Sequence, residues 1–447
     1  MHSNAAGVHL HYIHNQAISP QAMSSTTTHR QVTLPDKAFY SFLSLGIRVV
    51  HALLIACLPG TRLLSEEPNS EPVVRTGIEV LKRDNFRGLR GQRVGLISNH
   101  TGVDWQGNPT AVLLHESSDV ALTTLFSPEH GFRGVLDQSD IGDAKDDATG
   151  LKIYSLYGQT RKPTTEMLSD VDTIVFDIQD IGARFYTYIS TMGEAMKAAD
   201  QSGKRFVVLD RPNPINGVDV AGPMLDPGDE SFVGFHHLPI RHGMTIGELA
   251  KMFRTELGLS LDLEIVRCEG WRREMTFDQT GLVWINPSPN MRSLTQALLY
   301  PGVGMLETSN LSVGRGTDTP FEVIGASWID PIEWAKEMRS EQIPGVTVVP
   351  IQFTPDSSRY RDEVCGGINL VISNRAKFDP LHLGVALAVT LQRLYPDQWQ
   401  AEKAMRLLGN RATMNAIVGG QSISEVMRVT NQNVDQFRQR RSQFLLY

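Results

Sequence analysis

The sequence predicts an α/β protein in which a Rossmann-like, mostly parallel sheet domain is followed by a second α+β domain, with the active site in the cleft between them. Two observations predict this fold class. From residue 75 onward, strand patterns and helical patterns alternate, which is typical of a parallel sheet covered by helices. Near residue 240 the alternation gives way to mixed strands and long loops. A chain of 447 residues is long enough for two such domains.

The first domain, residues 75–240, contains short apolar runs that end in polar residues, as buried strands do. Helices are predicted at residues 76–89, 110–116 and 187–202, and strands at residues 93–99, 120–126, 173–179 and 206–210. No GxGxxG motif follows the first strand, where Ser98-Asn-His-Thr-Gly102 stands instead. A bound dinucleotide is therefore not expected, and no cofactor is predicted.

The second domain, residues 241–447, has a less regular pattern. Thr245 can cap a helix that continues through residue 253. Strands are predicted at residues 263–268, 321–328, 346–353 and 367–372, and helical segments at residues 381–395 and 422–444.

The first 74 residues predict an export segment rather than part of the fold. Residues 1–38 are polar and are expected to be a disordered extension. Residues 39–57 suit a signal sequence, and Leu54-Ile-Ala-Cys57 resembles a bacterial lipobox. Residues 58–74 then form a linker. We expect an exported, periplasmic or cell-envelope protein, attached to the membrane if Cys57 is lipidated; a plain cleaved signal or a chance apolar stretch is the alternative.

Composition and motif spacing argue against several classes of function. The net charge of −7 and the pI of about 6.0 disfavour nucleic acid as a partner, because such proteins normally show a basic excess. Cys57, Cys268 and Cys365 lie far apart and the histidines lack HExxH spacing, so no metal site is predicted. Neither a GxSxG elbow nor a Walker motif occurs, which disfavours an α/β-hydrolase esterase and phosphoryl transfer from a nucleotide.

Polar side chains follow all four predicted strands of the first domain. In an open α/β sheet, ligands bind beyond the carboxyl ends of the strands, so these residues predict a polar pocket. After the second strand, Pro128 and Gly131 form a tight bend that aims the side chains between them. A structural alternative stays open for Asp177 and Asp210, which could cap the next helix, with Arg211 as ion-pair partner. The candidate site residues here are Asn99, His100, Glu129, His130, Arg133, Asp177, Gln179, Arg184, Asp210, Arg211 and Asn213.

Two long loops of the second domain, residues 284–290 and 302–318, add further candidates. Glu307 follows an apolar Met-Leu pair, so we expect a partly buried carboxyl group that suits a general acid. Asparagine amides and a tryptophan face are groups that bind sugars, and a guanidinium binds a carboxylate through two parallel hydrogen bonds. The candidates here are Trp284, Asn286, Asn290, Arg292, Glu307, Asn310 and Arg315, and Arg133 and Arg184 of the first domain join the arginines that could bind an acidic ligand.

Seven ordered motifs between residues 75 and 445 together resemble the bacterial exo-β-N-acetylmuramidases, long carried as a family of unknown function. The motifs are Gly77-Ile-Glu-Val-Leu, Val94-Gly-Leu-Ile-Ser-Asn-His-Thr-Gly102, Ser127-Pro-Glu-His-Gly-Phe-Arg-Gly134, Asp177-Ile-Gln-Asp-Ile-Gly-Ala-Arg-Phe-Tyr-Thr-Tyr188, Leu209-Asp-Arg-Pro-Asn-Pro-Ile-Asn-Gly217, Arg241-His-Gly-Met-Thr-Ile-Gly-Glu-Leu249 and residues 284–310. The resemblance implies release of N-acetylmuramic acid from the non-reducing ends of peptidoglycan fragments, or muropeptides, during wall turnover and recycling. The lactyl carboxylate of that sugar would give the arginines a ligand, and its acetamido group would give the asparagines one.

A glycosidase of this kind normally places two carboxyl groups around the scissile bond. We predict Glu129 and Glu307 as this pair, with His130 assisting Glu129. Retaining, inverting and substrate-assisted mechanisms all stay open, and in the last of these Asp177 or Asp210 could orient the acetamido group. The alternative functions are a lipid-anchored, non-catalytic binder of wall fragments and an amidase or esterase acting on the same material.

Overall fold

The computed structural model describes residues 72–134 and 141–447. The predicted N-terminal extension, the lipobox-like segment with Cys57 and the linker up to residue 71 lie outside the described residues. Within the described ranges, no helix is both long enough and apolar enough to cross a membrane.

The strands form one large sheet and two small ones. Twelve strands occur among the described residues: β1 Arg93–Ser98, β2 Ala121–Ser127, β3 Ala144–Lys145, β4 Lys152–Ser155, β5 Thr173–Asp177, β6 Arg205–Leu209, β7 Ala221–Met224, β8 Pro239–Arg241, β9 Leu263–Val266, β10 Val323–Ala326, β11 Val346–Phe353 and β12 Cys365–Ile372. The large sheet has the order β3-β4-β2-β1-β5-β6-β9, and every neighbouring pair is parallel except β3 and β4. The predicted mostly parallel α/β fold is confirmed.

The central strands are apolar because both faces of the sheet are covered. All five residues of β5 are buried, as expected where helices pack on both sides of a parallel sheet. The register pairs Ser98 with Asp177 across β1 and β5, and Ser127 with Ser155 across β2 and β4. The carboxyl ends of these strands therefore meet at one edge of the sheet, where the polar candidates follow.

The described helices include the predicted segments, most of them with shifted ends, together with four at residues 294–303, 331–340, 405–408 and 411–418 that were not predicted. They are α1 Gly77–Arg83, α2 Thr110–Glu116, α3 Tyr188–Gln201, α4 Ile246–Glu256, α5 Leu294–Val303, α6 Pro331–Ser340, α7 Pro380–Leu394, α8 Met405–Leu408, α9 Arg411–Val418, α10 Ile423–Thr430 and α11 Val434–Arg441. The helix predicted at residues 76–89 is shorter than expected. It ends at Arg83 because Asn85 and Phe86 both have φ 51°, and Arg87–Leu89 continues as a 3₁₀ turn. Thr245 caps α4 as predicted, with Glu248 completing a capping box.

The second half of the chain is built around a three-stranded antiparallel sheet, β10-β12-β11, while β7 and β8 form a separate pair. Strand β9 lies beyond the predicted boundary near residue 240, yet it pairs with β6 and completes the large sheet. One hydrophobic cluster runs from Phe176 of β5 through Leu299 of α5 to Leu387 of α7. The described residues, 72–134 and 141–447, belong to one compact unit; the position of the domain boundary stays a prediction.

Candidate active site

The bend after β2 presents Glu129 to a cavity. The Gly131 amide donates to the Pro128 carbonyl at 3.1 Å, which closes the turn. His130 and Gly131 both adopt left-handed backbone conformations, with φ 69° and 74°. The chain therefore turns sharply at the carboxyl end of β2, and Glu129 and His130 line the cavity beside it.

This cavity has a volume of about 1130 Å³ and takes residues from both sides of the predicted domain boundary. Both predicted catalytic carboxylates face it, and so do Asn290 and Arg315 of the predicted binding set. Its polar lining includes Glu129, His130, Tyr157, Tyr186, Thr187, Tyr188, Ser288, Asn290, Glu307, Thr308, Arg315, Arg359, Lys403 and Arg406. We refer to it below as the active-site cavity.

Two hydroxyl groups hold the Glu129 carboxylate. Thr187, the residue before α3, donates a short hydrogen bond to Glu129 Oε2. The Tyr157 hydroxyl is hydrogen-bonded to the same carboxylate, and burial together with this contact raises the pKa of Tyr157 to about 12. Both donors are uncharged near neutral pH. The partly buried carboxylate of Glu129 is therefore held by neutral hydroxyl groups.

Glu307 has a different neighbour. It follows the 3₁₀ turn Gly304–Leu306, and its carboxylate oxygen Oε1 lies 2.5 Å from Nε of Arg315. The side chains of Glu307 and Arg315 are 22% and 26% exposed, so the expected partial burial is present. The Arg315 guanidinium thus forms an ion pair with the Glu307 carboxylate, whereas the partners of Glu129 named above are neutral hydroxyl groups.

Aromatic side chains form the buried side of the cavity. Tyr186 meets Tyr188 and Tyr300 edge to face, with ring centroids 5.0 and 5.9 Å apart. Burial raises the pKa of Tyr186 and of Tyr188 above the ordinary tyrosine value, so both hydroxyls are uncharged near neutral pH. The wall therefore offers flat apolar faces with neutral polar tips.

Cations outnumber carboxylates around the cavity. Arg359, Lys403 and Arg406 line it in addition to Arg315 and are exposed to solvent. These three residues were not predicted, because their sequence surroundings resemble any solvated helix end or loop. The positive balance favours an acidic ligand.

Asp177 and Arg211 bind each other instead of facing the cavity. Arg211 Nε lies 2.5 Å from Asp177 Oδ1 and Nη2 lies 3.0 Å from Oδ2. Thr110 also donates to Oδ2 of Asp177. Asp177 is fully buried, and Arg211 is the ion-pair partner that the structural alternative anticipated.

Asp210 also has a structural environment. Its carboxylate accepts hydrogen bonds from the Gly247 amide, the Thr245 hydroxyl and the hydroxyl of the C-terminal Tyr447. Burial raises the pKa of Asp210 to about 6, although these hydrogen bonds oppose the shift. Asp210 thus joins the start of α4 to the C-terminus, as the helix-capping alternative proposed.

Four more candidates connect the strand ends through hydrogen bonds. Asn99 accepts from the amide and hydroxyl of Thr101. Gln179 and Asn213 donate to backbone carbonyls. His100 Nε2 lies 2.6 Å from the Asn286 carbonyl, and burial lowers the pKa of His100, which favours the neutral ring.

The remaining predicted residues lie outside the active-site cavity. Arg184 is 1% exposed and donates to the carbonyls of four residues: Pro223, Leu238, Leu407 and Leu408. Arg133 pairs with Asp146 at 3.3 Å, and Asn310 is held by backbone groups of residues 398 and 400. These positions do not support the predicted ligand contacts.

Trp284 and Arg292 line two other depressions. Trp284 packs edge to face on Phe277 at 5.1 Å and lines a separate hollow of about 210 Å³ together with Gln179 and Arg211. Arg292 lines a hollow that adjoins the active-site cavity. No group of three or more metal-ligating side chains occurs within residues 72–134 and 141–447.

Comparisons with known proteins agree with these motifs. Residues 94–295 match the family profile for the N-terminal part of exo-β-N-acetylmuramidase NamZ, and residues 298–447 match the C-terminal profile. A curated relative, the peptidoglycan β-N-acetylmuramidase NamZ of Bacillus subtilis strain 168, is 42% identical over 381 residues, which are 84% of this chain and 92% of the relative.

Two crystal structures of DUF1343 family proteins from Bacteroides fragilis are also similar. One is 38% identical with a TM-score of 0.79, over 85% of this chain and 100% of the other. The second is 31% identical with a TM-score of 0.69, over 85% of this chain and 99% of the other. By sequence and by fold, the chain therefore belongs to the NamZ family of exo-β-N-acetylmuramidases.

Proposed function

We propose that this chain hydrolyses the glycosidic bond of an N-acetylmuramic acid residue at the non-reducing end of peptidoglycan fragments, with Glu129 and Glu307 as the catalytic carboxyl pair. The observation that carries this assignment is that both side chains line one cavity, while the strand-end carboxylates of Asp177 and Asp210 form contacts within the protein. Asp177 and Asp210 are buried and fully engaged, so neither is offered as the group that orients the acetamido group.

The surroundings of the two glutamates suggest separate roles. Glu307 is paired with the Arg315 guanidinium, and we assign to it the carboxylate that stabilises positive charge at C1 of the sugar, attacks C1 or activates water. Glu129 is held by two neutral hydroxyls and has His130 beside it. We assign to Glu129 the general acid that protonates the leaving oxygen, while water supplies the new hydroxyl at C1.

The basic residues around the cavity fit the acidic sugar. N-acetylmuramic acid carries a lactyl carboxylate, and Arg359, Lys403 and Arg406 offer cations that no carboxylate of the pair neutralises. Asn290 lines the same cavity and can bind the acetamido group through its own amide. We propose that these contacts select muramic acid over a neutral hexosamine.

The test uses two substrates: a disaccharide with muramic acid at its non-reducing end and a nitrophenyl muramide, whose leaving group needs little protonation. Glu129→Gln should lose about 10²–10⁴-fold in kcat on the disaccharide but much less on the nitrophenyl muramide, because only the first requires the acid. Glu307→Gln should lose both activities.

Glu116→Gln serves as the control, because Glu116 is exposed at the end of α2, away from the cavity. Products are identified by mass spectrometry and folding is checked by circular dichroism. If the wild-type chain binds the disaccharide without releasing a monosaccharide, it is a wall-fragment binder; release of peptide or acyl groups alone would make it an amidase or esterase.

We also propose that the chain is exported to the periplasm or cell envelope and is anchored through Cys57. The support is the tetrad Leu54-Ile-Ala-Cys57 after an apolar stretch, which resembles a lipobox; an enzyme anchored there would meet peptidoglycan fragments in the same compartment. Expression in a bacterial host should give a lipid-modified N-terminal Cys57 by mass spectrometry, and Cys57→Ser should release the protein from the membrane fraction. An unmodified mature N-terminus elsewhere would contradict the anchor but not the export.

A further inference from the structure

The large sheet has a switch point between β1 and β5, where the order of the strands reverses direction. From β1 the chain proceeds outward through β2 to β4, and from β5 it proceeds through β6 to β9 on the other side. In open α/β sheets, ligands bind beyond the carboxyl ends of the strands at such a point. A ligand site is therefore expected here as well as beyond β2, where Glu129 meets the active-site cavity.

The hollow of about 210 Å³ that Trp284 lines lies at this switch point. Its lining includes Thr101, three residues beyond β1, Gln179, two residues beyond β5, and Arg211, two residues beyond β6. Residues 282–285 contribute further lining. The hollow and the active-site cavity have no lining residue in common, so they are two separate spaces.

Most of the lining of this hollow is apolar. Its walls include the rings of Trp105, Phe277 and Trp284 together with the side chain of Ile285. Val283 also lines the hollow and is 75% exposed. Removing apolar surface of this kind from water is favourable, so the hollow selects a ligand that carries an apolar group.

Two buried polar side chains of the hollow keep unused hydrogen-bonding positions. Gln179 and Arg211 are only 7% and 6% exposed. The side-chain nitrogen of Gln179 donates to two backbone carbonyls, and its Oε1 accepts from no other described residue. Arg211 binds Asp177 and the Val103 carbonyl through Nε and Nη2, and its Nη1 has no hydrogen-bond partner in the described part of the chain. These residues therefore offer a ligand one acceptor and one donor.

The other buried polar side chains of the hollow are already engaged. The hydroxyls of Thr76 and Thr101 donate to side chains of the protein. The Asp104 carboxylate accepts hydrogen bonds from Lys82 and Asn108. A sugar ring carries several hydroxyl groups, and most of them would be buried here without a partner, which costs free energy for each one.

Charge and size narrow the ligand further. The Arg211 guanidinium is paired with Asp177, which favours a neutral ligand over an anion. The volume is below the roughly 300–1,000 Å³ of pockets that enclose a whole ligand, so the hollow holds one end of a longer molecule. One donor and one acceptor match a single secondary amide. We propose that this hollow is a peptide-binding site, which takes one neutral peptide amide and its small apolar side chain, with Arg211 Nη1 donating to the amide carbonyl and Gln179 Oε1 accepting from its N–H.

Fluorine NMR tests this site in a chain whose six tryptophans are replaced by fluorinated tryptophan. The ligand is N-acetylvaline methylamide, a neutral peptide unit with one apolar side chain. The signals of Trp105 and Trp284, assigned with Trp105→Phe and Trp284→Phe, should shift with a Kd on the order of 1 mM, an affinity usual for so small a ligand. The diester of the same shape lacks both N–H groups and should bind about tenfold more weakly.

Val283→Asp places a charge beside the hollow on an exposed residue and should weaken binding of the peptide unit about tenfold. Val364→Asp is the matched control, because Val364 is 61% exposed, precedes β12 and does not line the hollow. The absence of a saturable shift, or equal affinity for the diester, would overturn the site. Tighter binding of methyl N-acetylglucosaminide than of the peptide unit would overturn the peptide assignment. Because this measurement needs no catalysis, its failure is distinct from a failure of the proposed glycosidase function.

Discussion

Two aspartates at opposite ends of β5 allow a direct test of whether Asp177 is a structural residue. Asp177 ends the strand, and its side chain and that of Arg211 are 0% and 6% exposed. Asp172 precedes the strand and pairs with Arg93 at 2.7 Å, but these side chains are 38% and 47% exposed. The two ion pairs have similar chemistry and differ in burial. Asp177→Asn is therefore the perturbation and Asp172→Asn its control.

The expected magnitudes follow from burial. Burial lowers the pKa of Arg211, but the charge and hydrogen bonds of Asp177 outweigh it and raise the pKa above its ordinary value. Removing one partner of a buried pair costs about 3–5 kcal/mol, because the other charge is left uncompensated. An exposed pair contributes at most about 1 kcal/mol. For roughly 370 described residues, the unfolding entropy is about 0.8 kcal/mol/K, so Tm should fall by about 4–6 °C in Asp177→Asn and by about 1 °C in the control.

The assay combines thermal unfolding, followed by circular dichroism at pH 7, with kinetics on the nitrophenyl muramide at 25 °C. A structural Asp177 predicts a lower Tm with KM close to that of the wild type. If Asp177→Asn instead keeps its Tm and raises KM, Asp177 contacts the ligand and the internal ion pair is not its role. Equal decreases of Tm in Asp177→Asn and Asp172→Asn would refute the claim that burial makes the first ion pair more important for stability.

Three further outcomes follow from single side chains. Tyr157→Phe removes a donor to Glu129 and should lower kcat about tenfold at unchanged Tm; an unaltered kcat would mean that the hydroxyl does not position this carboxylate. Arg184→Met removes the side-chain donor of four carbonyls, of which that of Leu238 also accepts from the Leu225 amide, and it should lower the free energy of unfolding by about 3 kcal/mol in urea titrations; a raised KM at full stability would contradict this. Burial raises the pKa of Asp210 to about 6, above its value in the unfolded chain. The contribution of Asp210 to the free energy of unfolding is therefore complete below about pH 4 and is lost as the pH rises through 6. This loss amounts to about 3 kcal/mol, and Asp210→Asn should abolish it. An equally steep pH dependence in that variant would assign it to another group.

The fold could be predicted from the sequence because its strongest signals are local. The apolar run of β5 and the capping residue of α4 are contained in a few consecutive residues, and both predictions match the structure. Strand β11 occupies the predicted residues 346–353. The pairing of β9 with β6 could not be predicted, because it depends on contacts between residues more than 50 positions apart.

Tyr157, which is hydrogen-bonded to Glu129, was not predicted as a site residue. The short strand β4 was not predicted from the sequence. In the structure, its residues Lys152-Ile-Tyr-Ser155 alternate between more exposed and buried positions. In the structure Ser127 of β2 pairs with Ser155 of β4. Glu129 and Tyr157 each lie two residues beyond this pair, which brings their side chains together. Knowledge of the β4 register would therefore have identified Tyr157.

The strand ends differ in function because they differ in their neighbours. Asp177 ends β5 and Asp210 follows β6, and both side chains are covered by other segments of the chain. A buried polar group must find a partner within the protein, so these residues bind one another and the backbone. Glu129 follows β2, where its side chain is only partly covered and reaches an open cavity. In such a sheet, a polar residue at the end of a strand predicts ligand contact only where the segments packed around that end leave it uncovered, a condition that Glu129 meets and Asp177 does not.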